Sequence, residues 1–163
     1  MKEMQVHPIP PLYDTESRVL ILGSFPSVKS RAEGFFYGHP QNRFWRVLAG
    51  VFEDDVPTTV DEKRAFLVRH HVALWDVIAS CEITGSSDSS IRSVVPTDLM
   101  PILASAPIER IFVNGKTAEN YFRRFQKPIL GRDAICLPST SPANATKSLS
   151  ALIDAWRVIV DQK

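Results

Sequence analysis

The chain has 163 residues, 44% of them hydrophobic and 23% charged, with a formal net charge of +1. That is enough chain to bury one core of ordinary size, and the composition is that of a folded globular domain, not of a disordered segment or a globally basic nucleic-acid binder. A nucleic-acid partner would therefore have to be held by a local patch.

Residues 1–17 carry Lys2, Glu3, Pro8, Pro10 and Pro11 and read as an extended lead-in, without the apolar segment of a signal peptide. No later run reaches the length of a membrane span, so no membrane partner and a cytoplasmic location are expected. The apolar run from Val19 to Leu22 stops abruptly at Gly23, which predicts a buried strand followed by the tight turn GSFPS. Asn42 is placed to cap a helix in which Phe44, Val47, Leu48 and Val51 share one face. Pro57, Thr58 and Thr59 break the chain before a second amphipathic helix over 60–70.

A second strand is predicted over 72–78, with the polar stretch 81–90 as its exit loop. Thr97 is placed to cap a short helix carrying Leu99, Ile102 and Leu103. The third strand, 110–113, ends in Asn114 and Gly115. The helix that follows from about Thr117 turns Tyr121, Phe122 and Phe125 inward and Arg123, Arg124 and Lys127 to solvent. The fourth strand, 134–137, runs into PSTSPANAT, and a closing helix spaces Leu149, Leu152, Ile153, Trp156 and Ile159 at helical intervals. Strands alternating with helices predict one α/β domain over 1–163, with a mainly parallel sheet covered on both faces. All four strand ends carry small, polar or amide residues, and ligands bind at that edge of such sheets.

The two cysteines, Cys81 and Cys136, have no partner at metal-ligand spacing, so neither a metal nor a cofactor is expected. There is no GxxxxGK[ST] or GxGxxG signature and no defensible Ser/His/Asp order. What remains is rich in aromatics and amides: Phe25, Phe35, Phe36, Tyr37, His39, Asn42 and Asn114. Aromatic faces stack on planar bases, and a carboxamide offers one acceptor and two donors. Each has a plain alternative. Asn42 could be only a cap, Asn114 a strand-ending turn, His39 a structural hydrogen bond, and Phe35 and Phe36 core. Asp76 and Asp88 read as structural carboxylates.

The blocks GSFPS, GFFYGHPQNRFW, LWDVI, VNGKTA and LPSTSPANA, in this order, resemble the uracil-DNA glycosylase superfamily. They are most similar to its hypoxanthine-DNA glycosylase (deoxyinosine glycosylase) branch, over about residues 18–160. The HPQNRFW block is also similar to one in the mismatch-specific uracil branch. The resemblance implies a three-layer α/β/α sandwich around a four-stranded, mainly parallel sheet. It also implies a monomeric, monofunctional hydrolase that cleaves the N-glycosidic bond of a deaminated base flipped out of DNA, without metal or cofactor.

Two departures matter. Phe25 stands where the superfamily usually has the Asp or Asn that holds the attacking water, and Leu137 stands where many uracil-excising members have His. Carried over onto this chain, Asn42 becomes the water-positioning amide and Asn114 a catalytic or base-recognition amide. Phe25, Tyr37 and His39 shape the base pocket, and Ser27, Ser139, Ser141, Pro142 and Asn144 are the expected DNA contacts. Hypoxanthine is the expected base. A mismatch-type uracil glycosylase and a silent DNA-binding module are the alternatives.

Overall fold

The computed structural model describes residues 3–160; Met1 and Lys2 of the expected lead-in and residues 161–163 lie outside them. Strand β1 is Glu3–Val6. Strand β2 (Val19–Gly23) is buried along its whole length, as its unbroken apolar run requires of a strand covered on both faces. It pairs in parallel with β3 (Val72–Asp76), the antiparallel strands β4 (Ile78–Ile83) and β5 (Arg92–Pro96) follow in the chain, and β6 (Arg110–Asn114) flanks β2 on its other side. β7 (Ile135–Leu137) pairs in parallel with β6, so the main sheet has the order β3-β2-β6-β7.

The period of two along β2 sorts its side chains into two cores. Val19 and Ile21 face α2 (Phe44–Phe52), α3 (Val60–Arg69) and α7 (Leu149–Trp156). Leu20 and Leu22 face α4 (Met100–Ser105), α5 (Lys116–Tyr121) and the inner side of β4. The short helix α1 (Val28–Glu33) follows β2 directly. This is the expected α/β/α sandwich. On the first face Trp156 is fully buried and donates its indole N–H to Pro138 O at 2.9 Å, tying α7 to the exit of β7.

Several elements differ from the sequence reading. The lead-in contains β1, which pairs antiparallel with β4, and β4 with β5, making a second sheet of three strands. The predicted strand over 72–78 is two strands. At Val77 the chain leaves the main sheet, with Val77 N donating to Gly23 O (2.9 Å) and Ile78 N to Ser24 O (3.2 Å). The expected exit loop therefore starts as strand and turns only after Ile83. Thr97 is not a cap: its hydroxyl donates to Asp76 O at 2.8 Å, and α4 begins three residues later with Pro101 in its first turn. Past α5 the chain makes one π turn, Phe122–Gln126, before α6 (Lys127–Leu130). Phe122 is buried there, while Tyr121 and Phe125 are half-buried and stack on each other.

Candidate active site

The carboxyl ends of β2, β3, β6 and β7 converge on the loop 34–43. At the end of β2, a Cβ on Gly23 would lie 2.5 Å from Asp76 Oδ1 and 3.0 Å from the Tyr37 hydroxyl. Only a residue without a side chain admits that approach. Beyond it, Ser27 accepts from Ser30 N (3.1 Å) as the cap of α1. Phe25 is buried, edge-on to His7 at 5.7 Å and beneath the Arg31 guanidinium. The turn thus contributes wall and backbone. The loop after β4 folds back onto it, with Ser24 donating to Asp88 (3.0 Å) and Ser86 accepting from Val28 N (2.9 Å).

Tyr37 is held at φ +53°, its ring stacked on Phe44 with centroids 3.9 Å apart. Trp45 donates its indole N–H to Tyr37 O, fixing the backbone of this left-handed residue. The residue is partly exposed but its hydroxyl end is enclosed. Desolvation there, with the negative charge of Asp76 adding, pushes the phenol far above its ordinary value, so it stays protonated.

Asn42, Asn114 and Thr140 form one network. Asn114 Nδ2 donates to Thr140 Oγ1 (3.1 Å) and to the Tyr37 hydroxyl (3.3 Å), and Thr140 N donates back to Asn114 Oδ1 (3.1 Å). The Thr140 hydroxyl donates onward to Asn42 Oδ1 at 2.8 Å, and the same oxygen accepts Phe44 N at 2.9 Å. A backbone N–H can only donate, so these bonds fix which way both carboxamides point. Asn42 is therefore not a helix cap of the expected kind. It closes a turn two residues long, and the cap position of α2 falls to Arg43, which makes no side-chain capping bond.

Arg43 instead gathers the loop after β7. Its guanidinium donates to Lys147 O (2.5 Å), Asn144 O (2.8 Å) and Ser141 O (3.4 Å), and its backbone N–H donates to Thr140 O (3.1 Å). Inside the loop, Ser139 accepts from Ser141 N, Asn144 Nδ2 donates to Ser139 O, and Ser141 accepts from Ala143 N. Pro142 is exposed at its tip. Replacing Arg43 with Ala removes all three guanidinium bonds. The expected result is an affinity for duplex DNA about tenfold weaker, read by titration, with a fall in thermal midpoint of only a few degrees.

On the outer side of Asn42 lies an open groove of about 570 Å³, bordered by Tyr37, His39, Trp45, Arg46 and Lys63. His39 there accepts Gln41 N on Nδ1 (3.1 Å). Behind Gly23, His7 and Asp76 form a buried pair, Nε2 to Oδ2 at 2.7 Å. Because His7 Nδ1 accepts Ile9 N (3.1 Å), its proton sits on Nε2 and is donated to the carboxylate. Among the described residues, no three His, Cys, Asp or Glu side chains converge as a metal-binding group.

A buried amide network at the carboxyl edge of a parallel sheet, joined to a clamped polar loop, is a geometry to compare with known proteins. The sequence model of the Uracil DNA glycosylase superfamily matches residues 10–159. The chain belongs to that superfamily. A Methanosarcina barkeri relative named Hypoxanthine DNA glycosylase is 31% identical over 158 residues, covering 94% of this chain and 96% of the relative. A Methanosarcina acetivorans relative of the same name is 32% identical over 140 residues, covering 83% and 85%. A solution NMR structure of a candidate uracil DNA glycosylase from Methanosarcina acetivorans superposes with a TM-score of 0.79 at 28% identity, covering 96% of this chain and 99% of that one.

Within this superfamily fold, the structure brings Asn42, Asn114 and Tyr37 together, with His39 on the adjoining groove and Ser139, Ser141, Pro142 and Asn144 on one loop. It sets Phe25 in the core and uses Ser27 as a cap. Sequence reasoning missed Thr140, which is fully buried and touches both amides. It also missed Arg43 and the His7–Asp76 pair. The adjacency of Arg43 to Asn42 in HPQNRFW was the only sequence signal available for any of them.

Proposed function

We propose that this protein is a DNA glycosylase that hydrolyses the N-glycosidic bond of a deaminated base flipped from the duplex, hypoxanthine above all. The observation that carries the reading is the Asn114–Thr140–Asn42 network, which places neutral, oriented amides at the strand ends. Two relatives named for hypoxanthine excision, each sharing nearly a third of its residues with this chain, support the choice of base. As the glycosidic bond breaks, the sugar gains positive charge and the base negative charge. Fixed dipoles lower that barrier without titrating.

In this reading the flipped base enters between the loop 34–43 and the ends of β2 and β6. Tyr37, one face covered by Phe44, offers the other for stacking. Asn42 and Asn114 hold the base and the attacking water, and His39 borders the base. Phe25 shapes the wall from behind. Ser27 and the loop bearing Ser139, Ser141, Pro142 and Asn144 contact the phosphates. The chain acts as one domain and as a monomer, leaving an abasic site uncut. No helix among the described residues is long and apolar enough to cross a membrane.

Duplexes carrying deoxyinosine, deoxyuridine or deoxyxanthosine, treated with the protein and then with alkali, test this. Deoxyinosine is expected to be cleaved fastest. Cleavage of deoxyuridine alone would favour a mismatch-type uracil glycosylase, to which the superposed NMR structure's description points. Duplex binding with no base released from any of them would leave a silent DNA-binding module.

A further inference from the structure

We propose that Thr140 is a positioning residue that sets the polarity of the site, turning Asn42 into a hydrogen-bond donor towards the departing base. This rests on the glycosylase reading above. Thr140 is fully buried, and its hydroxyl is spoken for on both sides. It accepts from Asn114 Nδ2 (3.1 Å) and donates to Asn42 Oδ1 (2.8 Å). The direction of that chain is forced, because Thr140 N can only donate to Asn114 Oδ1, which leaves Nδ2 of Asn114 to face the hydroxyl.

At the far end, Asn42 Oδ1 carries two donors, Phe44 N and the Thr140 hydroxyl. That oxygen is filled. The atom of Asn42 left for a ligand is Nδ2, which has no partner among the described residues and belongs to a side chain bordering the open groove. A carboxamide nitrogen donates and does not accept. Asn42 in this setting cannot take a proton or a hydrogen bond from the attacking water.

It can donate to an acceptor whose charge grows during the reaction. A purine leaving as an anion offers such acceptors at its ring nitrogens and carbonyl oxygen. The donor also gains from the chain behind it, since each hydrogen bond polarises the next from Asn114 through Thr140. A residue that normally reads as water-positioning thereby becomes a stabiliser of the leaving group.

Two substitutions test the assignment, each read as a single-turnover rate at saturating enzyme on a deoxyinosine duplex, beside the Kd for that duplex and the thermal midpoint. Thr140→Val keeps the shape and loses the hydroxyl. It is expected to slow the step by about tenfold to hundredfold with Kd within twofold, while Thr140→Ser recovers to within about threefold of wild type. Asn42→Asp keeps an oxygen for Phe44 N and Thr140 but replaces the donor with a second oxygen. It is expected to be slowed by a hundredfold or more.

A Thr140→Val rate within twofold of wild type would overturn the proposal. So would an Asn42→Asp enzyme at or above the wild-type rate, since a carboxylate there would be the better water-holding group. Should Thr140→Val not fold, the Asn42→Asp measurement alone decides. Wild-type enzyme that releases no base from any duplex overturns the glycosylase reading itself, and this proposal with it. Wild-type activity with unchanged variants overturns only the role given to Thr140.

Discussion

Replacing Asn42 with Ala is expected to slow release of hypoxanthine under single-turnover conditions by about 10²–10³-fold, the loss of one preorganised donor or roughly 3–4 kcal/mol of barrier. The effect should fall on the chemical step. The contacts that hold DNA are placed on the loop that Arg43 clamps, and that clamp uses the Arg43 guanidinium and backbone, not the Asn42 side chain. Duplex affinity should therefore change by less than about threefold, because the lost amide binds the transition state more than the ground state.

A stability cost accompanies the substitution. Asn42 Oδ1 satisfies Phe44 N at the start of α2 and the Thr140 hydroxyl, so alanine leaves two donors without their acceptor. Each is worth about 1 kcal/mol where water cannot replace it. The folded fraction at assay temperature should still be nearly complete, and circular dichroism separates misfolding from lost chemistry. A single-turnover rate within fivefold of wild type in folded Asn42→Ala would remove Asn42 from the mechanism.

How much of this was legible in the chain depends on burial. β2, β3 and β6 were readable because strands covered on both faces need continuous apolar runs, and VLIL, VALW and RIFV provide them. β1, β4 and β5 were not. They form a sheet with one face towards solvent, where Met4, Val6 and Val95 lie exposed, and the β4–β5 pairing carries register shifts that blur the alternation. The result is a stretch whose Ser, Glu and Thr residues resemble a loop.

The candidate site divides in the same way. Asn42 and Asn114 were visible as amides at element ends, where isolated polar side chains are informative. Thr140 was not visible, since nothing within PSTSPANA distinguishes it from its neighbours. Its importance comes from contacts with residues 26 and 98 positions away. Arg43 is similar: a charged residue near a helix start is ordinarily solvated, and only the folded loop supplies three carbonyls to bind. His7 lay in a proline-rich lead-in that suggested no burial at all, although its side chain is 3% exposed.

That burial makes His7→Ala the largest stability effect expected in the molecule. The imidazole packs near Phe25, Phe36 and Trp75, and its Nε2 proton is donated to Asp76, whose side chain is 5% exposed. Alanine removes that donor and opens a ring-sized cavity beside the carboxylate. Breaking one side of a buried charged pair costs about 3–5 kcal/mol, because the remaining charge stays uncompensated. For a domain of this size that is a drop in thermal midpoint of roughly 10 °C, taking about 2–4 °C per kcal/mol. If the carboxylate is the source of the cost, removing it as well should relieve part of the loss. The His7→Ala, Asp76→Ala double variant is then more stable than the sum of the single losses predicts. Urea unfolding of the four proteins measures the coupling. A value below about 0.5 kcal/mol would reduce His7 to a packing residue. A value of 1 kcal/mol or more would mean that β1, through His7, holds Asp76 against Gly23 and the Tyr37 hydroxyl, and so braces the wall of the candidate site from outside the main sheet.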